Sequence, residues 1–375
     1  MPLERPEFIY VVCQHGAEGA LKVELGREHP ELRLAFSRPG FVTFKVTSEP
    51  GFPARFALRS TIARTYGWSL GKVSGDDANQ LAAEVVAAID QRRDASIPKL
   101  CLHVWQRDDR MPGKSGFEPG PTALSDEIGN LLVKNWSAKN TPVIFNQIAH
   151  PEELVFDVVL VEPGEWWYGY HFADTVPARW PGGVPFLDTS VETVSRAYYK
   201  AAEALAWSGI EILPGDVCAE IGSSPGGCCQ LLLELGATVI GIDPAEMEPE
   251  ILNHKNFVHI RRRGNEVRKR DLKDVKWLFA DLNVAPNYTL DSVEEIASHS
   301  SVDVKGLILT LKLADWKLVE EVPAFMNRVR KLGFAVVKAR QLAFNRQEFC
   351  MIAVKDKFLL RAGKKAAQQQ KRRGS

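Results

Sequence analysis

Glu220-Ile-Gly-Ser-Ser-Pro-Gly-Gly227 closes a short apolar run, Val217 to Ile221, and opens a second, Cys228 to Leu235, of helical length. This order reads as a strand that enters a glycine turn and leaves as a helix. At such a turn the missing Cβ atoms of Gly222, Gly226 and Gly227 let backbone come close to a ligand, and the first N–H groups of the helix point at any anion placed there. A turn of this kind also serves close packing alone. Sixteen residues beyond Gly227, the apolar run Thr238 to Ile242 ends at Asp243. A carboxylate at that strand end can accept both hydroxyls of a ribose.

The spacing fits an adenosine-bearing cofactor, and absent patterns narrow the choice. Neither G-x-G-x-x-G, expected of a nicotinamide or flavin site, nor the phosphate-binding G-x-x-x-x-G-K-[ST] occurs here. The Pro-Gly-Gly turn favours S-adenosylmethionine.

With 375 residues the chain is long enough for two or three domains. Its apolar runs fall short of the ~18 residues that span a bilayer, and no signal-like segment follows Met1. A cytoplasmic protein without membrane contact is expected. The cysteines (13, 101, 218, 228, 229 and 350) form no C-x-x-C pair, which argues against structural zinc and for buried thiols. No metal is expected. Lys and Arg total 47, as do Asp and Glu, so a case for nucleic acid rests on local clusters. One comprises Arg261, Arg262, Arg263, Arg268, Lys269, Arg270 and Lys273; the other is the tail from Lys364 to Arg373. Such runs serve phosphate contact or simply a solvated face.

Along the chain, strands are expected at Phe8 to Cys13, Leu32 to Phe36 and Gly40 to Val46, with a helix from Gly16 to Glu28. After the break at Gly51-Phe52-Pro53 come a helix and the strand Thr65 to Val73, then a helix from Asp76 to Arg93 capped by Asp76 or Asp77. Lys99 to Gln106, Pro142 to Ala149, Leu154 to Glu162 and Trp166 to Phe172 read as strands, and Ser125 to Trp136 as a helix. Aromatics alternating over Trp166 to Tyr170 could stack bases but fit a core better. Three prolines and two glycines between Val176 and Leu187 mark a linker. Beyond it, a helix from Val191 to Ser208 precedes alternating strands and helices. Runs ending at Ile221, Ile242, Phe279, Thr310 or Leu311 and Val337, with a last run from Phe349 to Val354, imply a parallel doubly wound sheet with an antiparallel strand at its end.

Ligands of such sheets sit beyond the C-terminal strand ends. Asp281, Lys312 and Glu348 border apolar runs there, and Lys200 lies on the preceding helix. The order Lys200, Asp281, Lys312, Glu348 resembles the Lys-Asp-Lys-Glu tetrad of the FtsJ-type ribose 2′-O-methyltransferases, over a stretch from about Ser195 to Val354. Ser195-Arg196-x-x-x-Lys200, Pro163-Gly164 followed by Tyr168-x-Tyr170, and Arg340-Gln341-Leu342 followed by Arg346-x-Glu348 are similar to local patterns of one subfamily. That subfamily methylates a cytidine ribose in bacterial large-subunit (23S) ribosomal RNA.

The resemblance implies an α/β fold in which a Rossmann-like methyltransferase domain, residues 190–360, follows two small α+β RNA-binding units. These are a ferredoxin-like unit over residues 1–73 and a THUMP-like unit over 74–176, with a linker at 177–189 and a basic tail at 361–375. It implies S-adenosylmethionine held by Ser195, Ser224, Pro225, Gly226, Gly227, Asp243, Arg263 and Asp281, with RNA as partner; the sequence does not give the oligomeric state, and a monomer is expected. Two positions depart from the subfamily: Arg263 stands where an acidic residue meets the adenine, and Cys228 replaces an aromatic.

A ribose hydroxyl must lose its proton as it attacks the methyl group. A lysine whose pKa is lowered by burial and like charge can take that proton. Lys312 is expected in that role, with Lys200 supplying like charge and a hydrogen bond while Asp281 and Glu348 orient the amines and the ribose. Amino-methylating enzymes need [Asn/Asp]-Pro-Pro-aromatic after the fourth strand, and cytosine-C5 enzymes a cysteine there; Asp281-Leu-Asn-Val284 offers neither. The alternatives are a non-catalytic or differently targeted RNA-binding protein of the same fold and, disfavoured by its turn, a dinucleotide oxidoreductase.

Overall fold

The computed structural model describes residues 6–47, 52–93, 99–137 and 139–356, and the chain divides into two compact units, Met1–Phe186 and Leu187–Ser375. The expected basic tail lies outside the described residues.

The first unit runs β1 (Phe8–Val12), α1 (Glu18–Glu28), β2 (Leu32–Arg38), β3 (Phe41–Val46), β4 (Thr65–Ser74), α2 (Ala78–Asp90), β5 (Leu100–Gln106), α3 (Ala123–Ser137), β6 (Val143–Phe145), β7 (Leu154–Glu162) and β8 (Glu165–Phe172). Its strands join in one mixed sheet, β2-β3-β1-β4-β8-β7-β5-β6. Because β4 pairs with both β1 and β8, the sheet continues through the two stretches expected as separate units. The side chain of Asp77 caps α2 by accepting from the Asn79 and Gln80 N–H groups. Trp166, Tyr168 and Tyr170 are buried, in keeping with the core reading of that strand.

Two expected elements differ. No helix forms over residues 52–64, because tertiary partners take the backbone donors a helix would use: Leu58 N–H donates to the Tyr66 hydroxyl, Arg59 to His29 Nε2, and Thr61 and Ile62 to the buried Glu24 carboxylate. Strand β6 stops at Phe145 rather than Ala149. There Asn146 turns to φ +43° and its side-chain amide takes over the pairing, accepting from Val104 N–H and donating to Val104 O.

The second unit runs α4 (Ala197–Ser208), β9 (Val217–Ile221), α5 (Gly227–Glu234), β10 (Thr238–Ile242), α6 (Pro249–Leu252), β11 (Phe257–Ile260), β12 (Trp277–Asp281), α7 (Pro286–Ala297), β13 (Gly306–Lys312), α8 (Val322–Lys331), β14 (Val336–Arg340) and β15 (Glu348–Val354). The sheet order is β11-β10-β9-β12-β13-β15-β14. Strands β9 to β13 pair in parallel, whereas β15 pairs antiparallel with β13 and β14. The doubly wound expectation holds, with the antiparallel strand last in sequence but inserted one place in from the sheet edge. Its seven residues are all buried, as its unbroken apolar run requires of a strand covered on both faces.

Strand β11 escaped the sequence reading; four residues beside an arginine run give little periodicity. Helix α4 starts at Ala197 rather than Val191, since Val194 N–H donates to Gln230 Oε1 and the carbonyls of Thr189 and Val191 accept from the Tyr199 hydroxyl.

One buried carboxylate on α4 ties this helix to the β14–β15 loop. Glu203, fully buried, accepts from the Ala343 N–H at 2.8 Å and the Phe344 N–H at 3.0 Å. Glu203→Ala strands both donors in the core and should cost on the order of 2–4 kcal/mol. Urea unfolding monitored by circular dichroism measures it; a loss below about 1 kcal/mol would show the loop held by other contacts.

Candidate active site

The last residue of β13, Lys312, stands opposite Glu348, the first residue of β15, in the antiparallel register. On the other side of β13, β12 ends at Asp281. Lys200 reaches the same place from α4. Lys200 Nζ donates to Asp281 Oδ2 and lies 3.3 Å from Glu348 Oε1. Lys312 Nζ lies 3.1 Å from Asp281 Oδ1 and donates to Glu348 Oε2. Each amine thus touches both carboxylates, and the four expected catalytic residues form a closed ring of zero net charge.

Lys200 and Glu348 are buried, Asp281 and Lys312 half-buried. Burial pushes the Glu348 carboxyl up, but Lys200 and Lys312 outweigh it and hold the group below the usual carboxylate range. At Lys312 burial pulls the amine down, yet Asp281 and Glu348 more than offset it, and its pKa is raised. This corrects the sequence expectation of a lowered value: both carboxylates lie against the amine and outweigh its burial. In the closed ring Lys312 is an ammonium.

A cavity of about 300 Å³ lies over the ring, walled by Ser195 and Arg196 on one side and by Gly222, Ser223 and Ser224 on the other. Glu220, on β9, also lines it. Its carboxyl is pushed up to about 8 by burial, against a hydrogen bond from Cys229 Sγ and with the repulsion of Asp281 added. Glu220 is therefore mostly protonated at neutral pH and adds no charge to the ring. Sequence reading passed it over as a site residue, although a carboxylate inside the apolar run Val217 to Ile221 was the signal.

The turn glycines answer chiefly to the chain's own packing. A Cβ at Gly222 would stand 2.7 Å from the Asp281 carbonyl oxygen, at Gly226 2.8 Å from Ile251 Cγ1, and at Gly227 2.3 Å from Ser195 Oγ. Gly222 and Gly226 also have φ of +80° and +127°, a region other residues avoid. The Ser224–Pro225 peptide is cis. Asp243 accepts from the N–H groups of Ser224 at 3.2 Å and Ala245 at 2.8 Å, so this carboxylate braces the turn beside its strand end. Ser195, Ser224 and Asp281 face the cavity, whereas Asp243 joins it only through Ser224. Arg263 is exposed and begins a short turn closed by Glu266, and Gly264 after it packs on Ile221 at the end of β9.

This cavity fits S-adenosylmethionine in chemistry and scale. It has strand-end backbone on one wall, serine hydroxyls and carboxyl groups able to hydrogen-bond around it, and a volume at the lower end of the ~300–1,000 Å³ usual for ligand sites. The basic cluster is largely exposed, with Arg261 paired to Glu246, Arg268 to Asp271 and Lys269 to Glu295.

Residues 193–359 match the FtsJ-like methyltransferase family, which uses S-adenosylmethionine. The chain is 29% identical over 177 residues to ribosomal RNA large subunit methyltransferase M of Halorhodospira halophila, covering 46% of this chain and 51% of that protein. It is 26% identical over 192 residues to the protein of the same name from Xylella fastidiosa strain M12, covering 48% and 52%. The chain spans about half the length of the curated relatives it matches. A solved fibrillarin pre-rRNA processing protein from Methanococcus jannaschii is 14% identical, with a TM-score of 0.35, covering 54% of this chain and 82% of that one.

Removing one carboxylate tests what holds Lys312 charged. In Glu348→Gln the Lys312 pKa should fall, because burial then acts against a single remaining carboxylate. Lysine side-chain NMR titration reads the shift; an unchanged value would mean that Asp281 alone sets the protonation state.

Proposed function

With an FtsJ-like methyltransferase domain over its C-terminal half as premise, we propose that this protein methylates a ribose 2′-hydroxyl of RNA, and that its target is a cytidine of 23S ribosomal RNA. The closed Lys-Asp-Lys-Glu ring under the cavity carries this reading. The names of the two rRNA methyltransferase relatives support the RNA class. Bound S-adenosylmethionine would supply the methyl group. Ser195, Ser224 and the Gly222–Ser223 backbone would hold it, with Asp243 fixing the turn.

The chain's own part is to seat the hydroxyl and remove its proton. Lys312 begins as an ammonium and accepts nothing until its carboxylates are drawn away. A ribose hydroxyl donating to Asp281 or Glu348 takes up part of their negative charge, and burial then lowers the Lys312 pKa until the amine serves as base. Lys200 pairs with both carboxylates and holds them in place. In-line placement over the ring supplies much of the remaining advantage.

Because the resting pKa is raised, kcat/KM should rise with pH as Lys312 loses its proton, and the rising limb should move to lower pH in Glu348→Gln. Lys312→Ala should keep cofactor affinity by calorimetry while kcat falls by ~10²–10⁴. Lys312→Arg should fail equally, since guanidinium stays charged at accessible pH. Near-normal turnover of the arginine variant on unmodified 23S RNA would leave position 312 as a charge only and send the proton elsewhere.

The N-terminal unit, residues 1–186, is assigned RNA recognition through a THUMP-like module within its sheet. Residues 187–375 expressed alone should bind S-adenosylmethionine with unchanged affinity yet lose methyl transfer to the RNA. Equal rates at the same nucleotide for the short and full chains would remove the N-terminal unit from recognition.

A further inference from the structure

In the N-terminal unit three strands bring His103, Asp157 and His171 together in the sheet interior. His103 on β5 and Asp157 on β7 are register partners, and His171 lies on β8, the other neighbour of β7. His103 and Asp157 have no exposure and His171 is 6% exposed. One nitrogen or oxygen from each lies within 4.8 Å of the others.

The outward hydrogen bonds fix the ring tautomers. His103 Nε2 lies 2.9 Å from the Gln147 carbonyl oxygen and His171 Nε2 2.6 Å from that of Ala178. A carbonyl only accepts, so both Nε2 atoms carry hydrogen. In a neutral ring the Nδ1 lone pair then faces inward. Among the described residues His103 Nδ1 and Asp157 Oδ1 find no hydrogen-bond partner, though both atoms are buried. Asp157 Oδ2 accepts from the Tyr10 hydroxyl and lies 2.5 Å from His171 Nδ1.

Two inward ring nitrogens and a carboxylate therefore converge in the protein interior, where acceptors left unpaired, as at His103 Nδ1 and Asp157 Oδ1, are costly. A Cβ at Gly67 would stand 2.6 Å from the Tyr10 hydroxyl oxygen, so glycine there leaves room for the group that holds Asp157 Oδ2.

We propose that His103 Nδ1, His171 Nδ1 and Asp157 Oδ1 form a three-ligand site for a divalent transition ion, zinc foremost. Imidazole paired with carboxylate suits zinc and its first-row neighbours. A histidine that ligates through one nitrogen and donates from the other to a carbonyl is the usual arrangement around such ions. The Tyr10 hydroxyl plays the same part for the carboxylate. Tetrahedral ligands at ~2.1 Å from zinc stand ~3.4 Å apart, so small side-chain adjustments close the set on the ion. Any proton shared between His171 and Asp157 leaves as the ion enters. Sequence reading expected no metal because it sought C-x-x-C spacing, and these ligands are 54 and 14 residues apart, brought together by strand order alone.

The full chain, expressed without a polyhistidine tag, should carry about one zinc per molecule by plasma mass spectrometry. After chelation it should bind Co²⁺ saturably with visible d–d bands, and added Zn²⁺ should raise the melting temperature. His103→Ala and Asp157→Asn should each weaken Co²⁺ binding at least tenfold. If a variant does not fold, the chelated native chain decides alone. A folded native chain without stoichiometric zinc or saturable Co²⁺ and Zn²⁺ binding overturns the proposal and leaves an imidazolium–carboxylate pair. Equal binding by a folded His103→Ala variant overturns it as well.

Discussion

Two ammonium groups and two carboxylates, held in mutual contact at the ends of three strands and one helix, are the constraint around which the C-terminal unit is organised. Taking four charges partly out of water is costly, and the ring meets that cost by pairing each charge twice. Such a network contributes little net stability but fixes geometry, because moving any one member leaves its partners buried without a counter-charge. Sheet register places Lys312 against Glu348, and the Glu203 clamp on the β14–β15 loop fixes Lys200's helix to the same floor. The cavity inherits its shape from this arrangement.

The same logic works in reverse at Glu220. One residue before the end of β9 it faces the cavity, yet a fifth charge there would unbalance the ring. Burial and the nearby Asp281 keep it mostly protonated at neutral pH, so the carboxyl remains available for hydrogen bonding without adding charge. The raised pKa of Lys312 and the lowered one of Glu348 belong to the same balance. In the proposed reaction a substrate hydroxyl would have to compete for these carboxylates before Lys312 could accept a proton.

The N-terminal unit solves a different problem, that of ending strands and threading loops through a mixed sheet. Polar side chains stand in for backbone: Asn146 completes the edge at Val104, and Glu24 holds the extended stretch before β4. Each replaces regular pairing with a side-chain bond, part-buried at Asn146 and buried at Glu24, which satisfies the backbone without secondary structure. Both substitutions depend on residues distant in the chain.

Local order was legible in the sequence wherever a run had a clear period and a chemical end. The alternation from Val217 to Val354 determined the doubly wound sheet, the glycine turn after Ile221 located the cavity wall, and Asp281, Lys312 and Glu348 could be named because each borders an apolar run, with Lys200 on the preceding helix completing the order of the tetrad they resemble. The tertiary structure alone decided what those residues do to one another. It placed β15 inside the sheet, so that Lys312 meets Glu348 and gains rather than loses affinity for its proton. It also turned Glu220 into a mostly neutral acid and removed the helix expected over residues 52–64. Charge state and backbone partnership are set by distances between residues far apart in the chain, and periodicity along the chain carries no record of them.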